Sequence, residues 1–182
     1  MSSEEVRERA LSRQEILEKY LTLESDPRFH DFAGKIEINE YGELLVNAAS
    51  RPHVVVQKRL AAYLEHHLGG EAMTEMPIVV QVANGAIRLR VPDIVWSAEQ
   101  GVFDGPTELK VLPRPPSLCI EVKSDGNTMK ELRQKRDELL AVGAEEVWFV
   151  YPERRVAEFY GKEGKRDTSQ YGIDLTKFWG LY

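Results

Sequence analysis

Three residues of this 182-residue chain have the types and spacing for phosphoryl chemistry. Asp93 stands in Val91-Pro92-Asp93-Ile94-Val95-Trp96, and Glu121 and Lys123 in Leu118-Cys119-Ile120-Glu121-Val122-Lys123-Ser124. Alternate side chains of a strand share a face, so Cys119, Glu121 and Lys123 point one way while Ile120 and Val122 enter the core. If the strand opened by Asp93 lies beside this one, two carboxylates and one ammonium converge. Such a set suits a divalent metal, because Mg2+ takes oxygen ligands and completes its shell with waters and phosphate oxygens. The metal polarises a phosphoryl oxygen and acidifies water, and Lys123 orients that water or offsets developing charge. A lone Glu-x-Lys is an ordinary ion pair on a sheet face. The preceding Pro-Asp strand and the helix that follows tip the balance toward a site.

The elements that position these residues follow from pattern. Ser12 and Glu15 have capping-box spacing and open a first helix, with Ile16, Leu17, Tyr20 and Leu21 on its apolar side. Lys35 to Glu40 alternates with period 2, and Tyr41-Gly42 turns it back into Glu43 to Val46. Ser50-Arg51-Pro52 starts a second helix, striped by Val56, Leu60, Leu64 and Leu68 and ended by Gly69-Gly70. Ile78 to Val82 and Val91 to Trp96 read as strands, and Gly101 to Pro116 as a loop. Leu118 to Val122 is a compact strand, and Thr128 with Glu131 caps a third helix running to Gly143. Glu146 to Tyr151 is strongly apolar, and Glu153-Arg154-Arg155 returns it as Val156 to Tyr160. Strands in a run before a helix predict an α/β (α+β) fold with a mixed sheet. One domain is expected: residues 1–50 as helix and hairpin, 51–160 as core and 161–182 as a C-terminal tail.

Composition excludes several classes. Lysine and arginine number 24 against 30 aspartate and glutamate, and the net charge of −6 disfavours tight, non-specific binding to nucleic acid. A local basic patch with a metal is compatible with that charge. One cysteine, Cys119, precludes an intrachain disulfide, and with four histidines leaves no Cys-rich zinc module. Neither GxGxxG nor GxxxxGK[ST] occurs, which disfavours a nucleotide-binding Rossmann or P-loop fold. No apolar run is long enough to span a bilayer and Glu4, Glu5 and Arg7 replace an apolar signal core, so a cytoplasmic protein without membrane contact is expected.

Weaker candidates surround the triplet. On the third helix Met129, Leu132, Leu139 and Leu140 form an apolar face, with Arg136 near its middle and Lys135 at its edge. Either cation snorkels to water or reaches over the sheet to the acids. With Arg88, Arg90, Lys123, Lys130 and Arg133 they could form a phosphate-facing strip. His53 opens the second helix, near the site or as an ordinary capping histidine. Gln57, one turn on, reads as the flank of that helix.

Pro92-Asp93 and Glu121-Val122-Lys123 resemble the PD-(D/E)xK nuclease superfamily. More closely, the chain is similar to the Uma-two family of restriction-endonuclease-like proteins. That pattern is a helix-opening His, a Pro-Asp strand, an apolar strand ending E-(V/L)-x-S, a Lys-bearing helix ending in Gly, and a Trp-bearing strand. Here these are His53, Pro92-Asp93, Glu121-Val122-Lys123-Ser124, Lys135, Gly143 and Glu146-Val147-Trp148, across roughly residues 12 to 160. The resemblance implies a restriction-endonuclease-like core, a central mixed β-sheet flanked by helices, after an N-terminal helix and β-hairpin. It implies an Mg2+- or Mn2+-dependent endonuclease acting on DNA and leaving a 5′-phosphate. Asp93 and Glu121 would bind metal, Lys123 and Lys135 would join them as catalytic residues, and His53 and Arg136 would lie nearby. The alternative is a nuclease-fold module without turnover that binds nucleic acid or protein, a reading the net charge favours. Duplex cleavage calls for two sites and the chain ends in aromatics, which raises the expectation of a homodimer. Many relatives lack a lysine at the position of Lys123, and often have tyrosine where this chain has Leu139. Two close carboxylates without metal repel, so Asp93→Asn is expected to leave stability unchanged or slightly higher.

Overall fold

Two capping boxes set the outer helices. In the computed structural model, which describes residues 9–29, 32, 34–48, 50–104, 111–112, 115–124 and 126–180, Ser12 accepts from the Glu15 amide while the Glu15 carboxylate accepts from Ser12 N–H. That closes the start of α1 (Arg13–Glu24). Thr128 and Glu131 do the same for α3 (Met129–Ala141). Between them α2 (Arg51–Leu68) buries Val56, Leu60 and Leu64 completely and stops at Gly69 and Gly70, both at positive φ. A Cβ on Gly70 would stand 2.1 Å from the Ser97 carbonyl oxygen, so only glycine fits that close approach.

The strands form two sheets among the described residues. One is antiparallel, in the order β2 (Leu44–Ala48), β1 (Gly34–Ile38), β5 (Ile87–Arg90), β4 (Ile78–Gln81). The other runs β10 (Gly164–Arg166), β9 (Val156–Gly161), β8 (Glu146–Tyr151), β7 (Leu118–Val122), β6 (Ile94–Ser97), β3 (Glu71–Thr74). Its β7–β8 pair is parallel, joined over the sheet by α3, and its other pairs are antiparallel. The sheet is mixed and flanked by helices, as expected.

The six-stranded sheet is covered on both faces. Ile94, Trp96, Leu118, Ile120, Val122, Trp148 and Val150 pack on α2 and on α4 (Leu175–Gly180). Val95, Cys119, Val147 and Phe149 pack beneath Leu132, Leu139 and Leu140 of α3. The face carrying Glu121 is therefore a second interior rather than a solvent face.

Three features depart from the sequence reading. The strand expected from Val91 to Trp96 begins only at Ile94, because Val91-Pro92-Asp93 is the crossing between the two sheets and Pro92 has no N–H for a ladder. β3 and β5 were not anticipated. The residues read as a tail hold β10 and α4, and Phe178 and Trp179 are buried in the core, so these aromatics offer no exposed surface for a homodimer.

Candidate functional site

The crossing delivers Asp93 to the open end of β7. Ile94 pairs with Ile120 in antiparallel register, which sets Asp93 beside Glu121. Asp93 Oδ2 accepts the Val122 amide at 2.6 Å. Its Oδ1 accepts from Lys35 Nζ (2.5 Å) and Gln57 Nε2 (3.0 Å) and lies 3.0 Å from His53 Nε2. Lys35 Nζ also reaches Glu121 Oε2 at 3.4 Å, bridging the two carboxylates. On the other side Lys135 Nζ stands 2.7 Å from Glu121 Oε1 and 2.5 Å from Glu37 Oε1, and donates to the Val91 carbonyl at 2.8 Å. The approach to Glu121 Oε1 is poorly angled, and among the described residues that buried oxygen accepts no hydrogen bond. His53 Nδ1 likewise has no partner among them.

A second ring of charge fixes the first. Glu37 accepts the Val91 amide at 2.9 Å and Arg90 Nη1 at 3.0 Å, and Arg90 Nε donates to Glu138 at 2.6 Å. Arg88 binds Glu40 through both oxygens and also meets Glu138. Asp93 and Glu121 are 1% and 2% exposed, so their interactions are weakly screened.

Burial pushes every one of these carboxyls up, and partners decide the outcome. At Asp93 the Lys35 ammonium and the bond to His53 outweigh burial and hold the acid well below the usual range. Glu37, against Lys135, Arg90 and Lys35, is lowered to about 2. Glu121 goes the other way: burial prevails over Lys135 and Lys35, and neighbouring Asp93 and Glu37 add to the rise. The Lys35 amine is raised against its own burial by Glu121 and Asp93. Two adjacent acids are thus driven apart, the pattern found where one group holds charge and its neighbour can exchange it.

A family model described as Uma2, putative restriction endonuclease, matches residues 17–177. The chain belongs to the Uma2 family. Its fold is similar to that of a putative nuclease of DUF820 from Anabaena variabilis, with TM-score 0.64 and 12% identity over 80% of this chain and 89% of that one. A DrdV–DNA complex aligns with 93% of this chain and 13% of its own, at 18% identity and TM-score 0.38. No curated protein matches the chain. The architecture of this Uma2 member is restriction-endonuclease-like.

Within it, the sequence-predicted residues separate. Asp93, Glu121, Lys135 and His53 come together. Lys123 does not. It follows the last residue of β7, its amide still pairs with the Val150 carbonyl, and its half-buried ammonium turns to the Ser124 carbonyl. Lys35 and Lys135 hold the positions beside Glu121 that alternation assigned to it. Arg136 projects one helical step from Lys135, lies 4.6 Å over the Tyr160 ring and binds Asp137. Arg88, Arg90 and Lys135 are committed to carboxylates rather than forming a bare phosphate strip.

Lys35, Glu37 and Gln57 were missed as site residues. A signal existed: Lys35-Ile36-Glu37 is again an amine and an acid on one strand face, and Gln57 lies one turn beyond His53.

The donors fit a hard cation. Two carboxylates from neighbouring segments already enclose an ammonium, and one buried carboxylate oxygen, Glu121 Oε1, is held only by the ion pair with Lys135 among the described residues. Oxygen donors with room for water and phosphate suit Mg2+ or Mn2+. Among the described residues no group of three or more His, Cys, Asp or Glu side chains could hold a metal ion, so the two carboxylates would need water and phosphate oxygens to complete a shell. A cleft of about 560 Å3 opens onto the cluster, lined by Lys35, Glu37, Arg88, Arg90, Glu121 and Lys135 together with the β1–β2 hairpin. No helix among the described residues is long and apolar enough to cross a membrane.

Proposed function

We propose that this chain is an endonuclease that hydrolyses phosphodiester bonds in DNA with Mg2+ or Mn2+. The observation that carries this reading is the Asp93–Glu121 pair, closed around the Lys35 ammonium, with Glu121 Oε1 ion-paired to Lys135 but accepting no hydrogen bond among the described residues. Asp93 and Glu121 would hold the divalent ion, which supplies Lewis acidity toward a phosphoryl oxygen and makes water acidic enough to attack. His53, Gln57 and the Val122 amide hold Asp93 in its orientation. Lys135, pinned by Glu37 and the Val91 carbonyl, keeps a positive charge at the cleft wall and offsets the charge developing on the phosphate. Lys123, bonded to the Ser124 carbonyl, contributes less.

Charge balance supports the need for metal. Lys35, Arg88, Arg90 and Lys135 meet Glu37, Glu40, Asp93, Glu121 and Glu138. The carboxylates outnumber the cations, so a phosphodiester is repelled until divalent charge is added.

The test is nicking of supercoiled plasmid and of single-stranded DNA with Mg2+ or Mn2+. Wild type should nick and stop in EDTA, while Asp93→Asn and Glu121→Gln should each lose ~10²-fold or more. One observation favours a binding module instead: the lysine of the Glu-x-Lys motif donates to the Ser124 carbonyl, and among the described residues it pairs with neither acid. Wild type that takes up metal and binds DNA, yet leaves every DNA form intact, would establish that second reading.

A further inference from the structure

We propose that Lys35 is the protein's own counter-ion at the metal position, so that divalent-ion binding to Asp93 and Glu121 is an exchange in which the Lys35 ammonium leaves. This rests on the reading of Asp93 and Glu121 as metal ligands. Lys35 Nζ lies 2.5 Å from Asp93 and 3.4 Å from Glu121, which is the place a cation shared by both acids must take. A divalent ion and an ammonium cannot both occupy it, because like charges a few ångströms apart in a buried site repel strongly.

Lys35 is also built to move where Lys135 is not. Lys135 is fastened by a backbone carbonyl and two glutamates from different elements. Among the described residues the Lys35 ammonium hydrogen-bonds only to the two carboxylates that the ion would claim. Lys35 lines two separate clefts. One is the cleft of about 560 Å3 that opens onto Glu121. The other, of about 530 Å3, lies toward α1 and is lined by Lys35, Tyr20 and Glu75. The displaced amine therefore has space on either side and, in the second cleft, a carboxylate to meet. Seated, it keeps the acids from repelling each other and holds the site assembled without metal.

The experiment compares the full chain with Lys35→Met, which keeps the apolar stem and removes the charge. Mn2+ titrated into both should bind Lys35→Met ~10-fold or more tightly than wild type, because no ammonium competes. Since that variant strips Asp93 of a partner and can fail to fold, a second measurement uses wild type alone. Lysine acetylation, mapped by peptide mass spectrometry, should find Lys35 protected in EDTA and labelled ~10-fold or more faster with Mn2+, while Lys135 stays protected in both. Mn2+ bound with Lys35 still protected, or bound no more tightly by a folded Lys35→Met, overturns the exchange and leaves the ligand assignment standing. If neither wild type nor folded Lys35→Met takes up Mn2+ at millimolar concentration, the ligand assignment itself fails, and the exchange with it.

Discussion

Two glutamates are buried on the adjacent parallel strands β7 and β8, and they are opposites. Glu146 is fully enclosed at the start of β8. Its Oε2 accepts from Trp148 Nε1 at 2.6 Å and Ser169 Oγ at 2.7 Å, and its Oε1 from Arg166 and the Gln170 amide, both at 3.1 Å. Glu121 lies one residue before the end of β7, at the other end of the same ladder, between two ammoniums, with one oxygen that accepts no hydrogen bond among the described residues. Glu146 is a structural fastening for the segment after β9. Glu121 stands at the carboxyl end of a parallel strand, where sites in such sheets form. Burial alone does not separate the two roles. What separates them is whether the lone pairs are spent on a full set of fixed hydrogen-bond donors, three neutral and one a guanidinium, or left chiefly to ammoniums.

Glu146→Ala should have the largest effect on stability. It strands two buried donors, Trp148 Nε1 and Ser169 Oγ, and removes the part-buried bonds to Arg166 and the Gln170 amide, and should cost about 3–5 kcal/mol, read as a lower denaturant midpoint, with Mn2+ affinity in the folded fraction unchanged. A loss of metal binding at unchanged stability would erase the contrast.

Next in size is an acid titration. Glu37, lowered to about 2 in the fold, gives stability that is fully present above its unfolded pKa near 4.5 and is lost as pH falls toward 2. That is on the order of 3 kcal/mol, and Glu37→Gln should remove it from the unfolding profile. Glu121 has the opposite sign: its raised pKa weakens the fold when it is ionised, and that penalty fades as pH falls through its folded value.

The same opposition predicts that the two candidate ligands respond differently to amide substitution. Asp93→Asn removes a well-paired charge and should destabilise by about 1–3 kcal/mol, contrary to the expectation from sequence, which counted the repulsion but not Lys35, His53 and Gln57. Glu121→Gln should leave neutral-pH stability unchanged or raise it by about 1 kcal/mol, while Mn2+ affinity falls ~10-fold or more. Equal stability changes in the two variants, by thermal melts in EDTA, would contradict this. Lys123→Ala should do least, within about 0.5 kcal/mol, with Mn2+ binding intact.

Local chemistry was legible in the sequence, and long-range convergence was not. Ser12 with Glu15 and Thr128 with Glu131 announce their helices because a capping box is satisfied within four residues. The strands around Cys119 and Trp148 follow from unbroken apolar runs. Asp93 and Glu121 could be paired because an Asp-bearing segment and an apolar strand invite adjacency. Lys35 could not, since nothing local tells which sheet β1 joins or that its edge passes over Asp93. Lys123 misled because alternation holds only while the strand lasts, and β7 ends at Val122. α4 escaped notice because a six-residue helix carries too little periodicity to read.

The Val91-Pro92-Asp93 crossing has one more effect. Lys35, Glu37, Arg88 and Arg90 come from one sheet, Glu121 from the other, and Asp93 from the short strap that joins them. Separating the two layers would draw the Lys35 ammonium away from Asp93 and Glu121. The network is thus a latch as well as a pocket, and the fit between the layers is written directly into the shape of the site.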